Sequence, residues 1–245
     1  MEAFLKSFAF GKKILKFVEV FIDYGGYKNV LIGLRNTALI AVLGLLIGTL
    51  IGTLIATIRV VPKYKRLPRV LDKICDIYVG FFRGTPIVVQ LLLAYYVLLP
   101  MMGLNYPSLN VCIVVFGLNS GAYVSEMMRA GIQSVDPGQL EAGRAVGLSF
   151  SAAMLKIVIP QAIKNILPTL GNEFIALIKE TSVVSFVGTL DIYVAFNYIG
   201  TNSYEFMVPY LAMALIYMVL VFLISRLVHL MERRLGRSDR HHSSH

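Results

Sequence analysis

SVDPGQLEAGRAVGLSFSAAMLKIVIP, residues 134–160, is too polar at its edges to cross lipid, yet apolar runs flank it on both sides. Asp136 is placed to cap a helix that begins at Pro137. Its carboxylate accepts from free backbone N–H groups, and proline has no N–H to leave unpaired. Residues 138–146 continue that helix and Gly147 ends it, because glycine enters the left-handed region without strain. Ser149 or Ser151 caps a second helix running toward Pro160, whose ring removes a backbone donor and bends the chain as it re-enters the bilayer. The expectation is two short helices meeting at a glycine corner with Glu141 and Arg144 exposed. Such a corner suits docking to a soluble partner; the plainer alternative is an ordinary amphipathic loop.

Working outward, the rest of the chain is that of a polytopic membrane protein. Of its 245 residues 57% are hydrophobic and 15% charged, against about 25% charged in a soluble domain. The net charge of +9 would suggest nucleic acid in a soluble protein, but here the basic residues flank apolar runs and record topology instead. A span needs about 20 apolar residues, and five runs qualify: 30–58, 79–99, 110–130, 166–187 and 208–230. The first carries Gly44, Gly48 and Gly52 on one helical face, a small-residue stripe that admits a second helix at close range.

The basic loop 59–73, the segment 131–165 and the end beyond Arg233 read as cytoplasmic. Loops 100–109 and 188–207 lack Lys and Arg and read as external. The N-terminus is therefore outside and the C-terminus inside. Lys6, Lys12, Lys13 and Lys16 oppose this assignment unless they ride on a surface helix. Residues 14–24 suit one, with Lys16, Glu19 and Asp23 opposite an apolar side. The expected organisation is an amphipathic interfacial segment at 1–29, a transmembrane domain at 30–232 and a basic cytoplasmic tail at 233–245. Cys75 and Cys112 lie in or beside apolar segments and read as packing residues. The terminal HHSSH is assigned no function.

Polar groups inside the apolar runs are costly and usually face a bundle interior or cavity. Arg83 stands in Arg83-Gly84-Thr85-Pro86, where glycine and proline disfavour regular helix. Arg83 either snorkels to the interface or pairs with Glu126 or Glu180 in one gating state. Gln90, Asn119, Glu126, Glu180, Thr181 and Ser182 are candidates for the translocation pathway, with Glu173 and Lys179 nearby. Interhelical hydrogen bonding is the equal alternative for them. No phosphate-binding G-x-x-x-x-G-K-[ST] loop, nucleophile elbow or clustered metal ligands appear, so neither ATP hydrolysis nor a metal site is expected in this chain.

Residues 141–160 resemble the EAA loop of permease subunits of binding-protein-dependent ABC importers. Glu141, Ala142, Gly147, Ile157 and Pro160 match; Gly143 stands for the usual second alanine and Ile159 for leucine. FFRGTPIVVQLLLAYY (81–96), residues 121–149 and LIKETSVVSFVGTLDI (177–192) extend the resemblance to the polar amino acid uptake branch. It covers most of 30–230 and leaves out 1–25.

The resemblance implies an all-α type I importer fold with about five spans in a bacterial cell membrane. It implies a second permease subunit forming a homodimer or heterodimer, two ATPase subunits that use ATP and Mg, and an extracytoplasmic amino acid-binding protein. Residues 136–160 would couple to the ATPase through Glu141, Ala142, Gly143, Arg144 and Gly147, while the chain itself binds no cofactor and is not an enzyme. The rival classes are an ATP-independent secondary carrier or channel and a membrane enzyme. The carrier leaves the corner without a purpose, and the enzyme lacks a catalytic constellation.

Overall fold

The computed structural model describes residues 9–60 and 66–240, and these are helical with no strand among them. Helix α1 (Ala9–Val18) leads through a wide turn, Glu19–Asp23, into α2 (Gly26–Val60). Then follow α3 (Arg66–Gly84), α4 (Ile87–Met101), α5 (Ser108–Gln133), α6 (Pro137–Ala145), α7 (Phe150–Val187), α8 (Ile192–Ser203) and α9 (Met207–Arg240). Helices α2, α5, α7 and α9 are each long and apolar enough to cross a membrane, and α3 with α4 forms a fifth candidate bent by 106°.

The core is the α2–α5 contact, and the glycine stripe makes it. A Cβ on Gly44 would stand 3.2 Å from Phe116 Cβ, one on Gly48 2.7 Å from Ser120 Cβ, and one on Gly52 2.6 Å from Val124 Cγ1. Gly117 and Gly121 answer from α5, with Ile47 and Ile51 filling the space their side chains would take. Small residues let the two backbones meet where lipid supplies no hydrophobic drive for helix association. Phe116, Ile40, Leu91, Leu177 and Val184 close the core around this contact.

Several boundaries differ from expectation for identifiable reasons. The expected second span, 79–99, straddles a bend: its first residues lie in α3 and the rest in α4, and α3 also takes in residues 66–73 of the expected loop. Gly84, Thr85 and Pro86 interrupt the hydrogen-bond ladder, so α3 and α4 go separate ways. Lys63 and Lys65 lie outside the described residues. The fourth span is part of an unbroken 38-residue helix. Pro160 lies within it, and the wide turn Met154–Val158 opens the ladder just ahead of the proline ring.

The helix tightens over Thr181–Val187 and ends at Gly188, φ +71°. Residues 188–207 are no open loop. Asp191 caps α8 by accepting from Val194 N at 2.8 Å, and Ile192, Ala195, Phe196 and Ile199 are buried. Asn36 Nδ2 donates to Leu190 O at 2.8 Å, which fixes this turn against α2. Residues 233–240 of the expected tail continue α9, and 241–245 lie outside the described residues.

The N-terminal helix expected over 14–24 exists, and it begins earlier, at Ala9, and runs to Asp23. It does not lie free: Phe17, Val20 and Phe21 pack with Phe196 and Ile199, and Phe10, Val18 and Ile22 remain exposed. Lys13 Nζ donates to Glu205 Oε1 at 3.2 Å. That bond, against a smaller opposing effect of desolvation, holds the Glu205 carboxyl below its ordinary 4.5.

A carboxyl lowered in the folded state stabilises above its unfolded pKa and loses that contribution as pH falls through its folded value. Acidification from neutral pH through the folded value is therefore expected to loosen α1 where Lys13 ties it to Glu205. The protection of residues 9–23 against hydrogen exchange, taken relative to the intrinsic rate at each pH, should fall at the acidic end in the wild type. In Glu205→Gln it should already be lower at neutral pH. Protection independent of pH in the wild type would remove the ion pair as the anchor.

Candidate functional site: the glycine corner and the polar groups of the bundle

The corner at 134–160 forms as its residues dictate. Asp136 Oδ1 accepts from Gly138 N at 2.8 Å and starts α6. At the other end Leu148 N donates to Gly143 O and Gly147 N to Arg144 O, both at 3.1 Å. This paired closure requires a left-handed residue, and Gly147 has φ +90°. Ser149, not Ser151, caps the next helix, accepting from Ala152 N at 3.2 Å. That second helix is the first turn of α7, so one side of the corner continues directly into a span.

Five residues were expected to couple here, and the corner sorts them. Glu141, Ala142, Arg144 and Gly147 are exposed, whereas Gly143 is buried. A Cβ on Gly143 would stand 2.8 Å from Ile157 Cδ1. Glycine in place of the usual alanine lets α6 settle against α7. Leu140, Val135, Met154, Val158 and Ala162 form a separate apolar cluster beneath the corner. The corner is thus a rigid knob seated on its own small core. Val146, 79% exposed at its tip, was not singled out from sequence. An apolar residue beside the terminating glycine was its only signal.

The pathway candidates do not converge. Gln90 Nε2 donates to Phe82 O and Thr85 O, both at 2.9 Å, and Asn119 Nδ2 donates to Gln90 Oε1 at 2.9 Å. These two amides therefore satisfy the carbonyls freed by the α3–α4 break. Thr181 Oγ1 donates back to Ile178 O at 2.8 Å, Ser182 Oγ to Lys179 O at 3.4 Å, and Glu180 is exposed. This trio lies toward the Ser108 end of α5, near Cys112 and Val184, while Glu126 lies near the Gln133 end.

Arg83 and Glu126 do meet, with Nη1 3.7 Å from Oε2, and Arg83 also sits over the Tyr123 ring at 5.7 Å. Its ion pair is with Glu126 and not with Glu180. The shortest bond to Glu126 comes from a residue the sequence did not suggest: Arg59 Nη1 donates to its Oε1 at 2.7 Å. Glu173 is buried and accepts from Ser120 Oγ at 2.9 Å. Both cysteines are buried.

A bundle of membrane-length helices with an anchored helical corner between two of them is a specific arrangement, and comparison with known proteins gives it a family. Residues 44–237 match the family described as binding-protein-dependent transport system inner membrane component. The chain belongs to this family. Among similar proteins, the putative glutamine transport system permease protein GlnP of Rickettsia bellii is 40% identical over 167 residues, 68% of this chain and 77% of that protein.

The arginine transport system permease protein ArtQ of Bacillus subtilis is 39% identical over 166 residues, 68% of this chain and 76% of that protein. A crystal structure of an amino acid ABC transporter with histidines shares 40% identity at a TM-score of 0.78, covering 87% of this chain and 96% of that one. The MetNI methionine transporter, 19% identical with a TM-score of 0.65, shares the fold. The chain is a permease component of a binding-protein-dependent transporter in the inner membrane, with the all-helical type I importer fold. Family membership favours this reading over an ATP-independent carrier.

Proposed function

We propose that this chain is the permease subunit of an ATP-driven importer of polar amino acids. A binding protein delivers the amino acid to the outer face, and two separate ATPase subunits drive alternating access through a pathway shared with a second permease. Polar amino acids are the class named for the glutamine, arginine and cystine permeases it resembles. The single observation that carries the coupling role is the corner: a short helix capped at both ends, exposed along Glu141, Ala142, Arg144 and Val146, and continuous with α5 and α7. A rigid helix of this kind passes a partner's rigid-body motion to the spans on either side. ATP and Mg belong to the ATPase.

Two experiments test the reading. Proteoliposomes carrying the chain, its ATPase and its binding protein should accumulate a polar amino acid only when ATP is supplied. Uptake by the chain alone on an ion gradient would overturn the proposal. The topology, with the N-terminus outside and the C-terminus inside, is tested by cysteine labelling. Ser108 is half-buried and bonded to Thr189, so exposed Asn105 is the better outer position. Asn105→Cys should label with an impermeant reagent from outside, and Ser151→Cys only from inside. The reverse pattern would invert the topology.

A further inference from the structure

Near the Gln133 end of α5, three helices are joined by charge. Arg59, in the last turn of α2, donates from Nη1 to Glu126 on α5 at 2.7 Å and from Nη2 to Asp76 on α3 at 2.5 Å. Arg129 adds a second cation, donating from Nη2 to Glu126 Oε2 at 2.8 Å. The Arg59 side chain is only 11% exposed and its Nε is buried without a partner, whereas Asp76 is 64% exposed. Planar guanidinium bridges two carboxylates in a way lysine does not. Freeing Arg59 leaves a poorly solvated charge, because its side chain is largely buried.

The position of this cluster gives it a role. Asp136, which starts the corner helix, follows Glu126 closely along the chain. The intervening junction is stiff: Val135 is buried, Ser134 Oγ donates to Gly131 O at 2.8 Å, and Asn165 Nδ2 donates to Ser134 Oγ at 2.8 Å. On the other side, α3 runs from Asp76 into the break at Gly84–Pro86. Around Cys75, α3 is also held by an apolar contact, Cys75 and Val79 against Ile55 and Ala122, and by Tyr78 Oη donating to Leu118 O, while its far end is held at Phe82 O by the amides of Gln90 and Asn119. A cavity of about 560 Å³ lies against the cluster, lined by Arg59, Asp72, Asp76, Glu126, Arg129 and Gln133. Arg83 waits 3.7 Å from the same carboxylate. The charges therefore have both room and a substitute partner for a second arrangement.

We propose that Arg59 is a positioning residue for transport: it locks α3 to the end of α5, so that movement of the corner helix is passed to the α3–α4 break. This rests on the importer reading, and its test is chosen to be separable from it. The reporter is Cys75, buried on the face of α3 that the cluster holds down. In a Cys112→Ala background it is the remaining thiol.

In the chain alone in liposomes, Asp76→Asn should raise Cys75 labelling by a small maleimide about tenfold, since losing a local clamp shifts local opening by that order. Asp76 is exposed enough that this variant should fold. Arg59→Gln should do the same and Arg59→Lys should fall between. Unchanged labelling in Asp76→Asn and Arg59→Gln would overturn the proposal without touching the importer reading, which fails instead if the wild-type complex shows no ATP-dependent uptake. In that complex, Cys75 labelling should change between the nucleotide-free and ATP-trapped states and lose that response in Asp76→Asn. ATP consumed per amino acid imported should rise about tenfold in Arg59→Gln. A nucleotide-independent Cys75 in the wild type, or an unchanged ratio in Arg59→Gln, would reduce the cluster to a structural clamp and overturn the positioning role.

Discussion

Gly147→Ile is expected to leave the protein inserted and folded, to leave ATP hydrolysis by the assembled complex largely intact, and to cut coupled uptake by about tenfold or more. The cause is conformational and not steric. A Cβ at Gly147 meets nothing within 4 Å, so no neighbour is displaced. The backbone, however, holds φ +90° there. A non-glycine residue in the left-handed region costs roughly 1–2 kcal/mol, and a β-branched one is a clear outlier. Relieving that strain rotates the chain out of the closure that joins Leu148 N to Gly143 O and Gly147 N to Arg144 O. Each such bond contributes about 0.5–1.5 kcal/mol.

The last turn of α6 then frays, and Arg144 and Val146 leave the face they present. Gly147→Asn, which tolerates positive φ better, should retain most of the uptake. The measurement is the ratio of amino acid imported to ATP hydrolysed in proteoliposomes. A normal ratio in Gly147→Ile would mean that the corner geometry does not carry the coupling.

Gly48→Leu should have the largest effect on the bundle itself, acting on stability before it reaches transport. The first carbon alone would stand 2.7 Å from Ser120 Cβ and 2.7 Å from Ser120 Oγ. Overpacking of this kind costs about 1–3 kcal/mol and sometimes more. Moving Ser120 also takes away the hydroxyl that donates to the buried Glu173 at 2.9 Å, and an unsatisfied buried acceptor adds about 1–3 kcal/mol, more when charged. The two backbones must separate, and the neighbouring contacts Gly44–Phe116 and Gly52–Val124 separate with them.

The expected outcome is a marked fall in the yield of folded protein and in its unfolding temperature in detergent, with Gly48→Ala intermediate. Gly80→Leu is the control, since a Cβ there meets nothing within 4 Å. Equal melting of Gly48→Leu and the wild type would show that α2 and α5 are held by something other than the stripe.

Much of this was legible in the linear chain because it depends on neighbours in sequence. The caps Asp136 and Ser149, the closure at Gly147 and the stripe Gly44, Gly48 and Gly52 each follow from spacings of a few residues, and each forms as expected. Reading failed where a local signal had two outcomes. Residues 79–99 read as one apolar run, but the bend at Gly84–Pro86 splits them between two helices. Residues 188–207 lack bases as an outer loop should, yet they hide a buried helix, since hydropathy does not distinguish burial in protein from exposure at a surface. Gln90 and Asn119 were rightly placed inside the bundle, but their partners are the carbonyls of a helix break and of each other.

By itself, then, the sequence determined the apolar helices, the corner between α5 and α7 and the glycine face on which the first long helix packs. Those depend on the burial cost of backbone polar groups in lipid and on the conformational limits of single residues. Only the tertiary structure decided that Arg59 meets Glu126 and Asp76, that Asn36 holds the turn at Leu190 and that Lys13 reaches Glu205. The physical reason is that a charge or amide takes whichever partner the packed backbones bring within 3 Å or so, and no spacing along the chain records which helices will be neighbours.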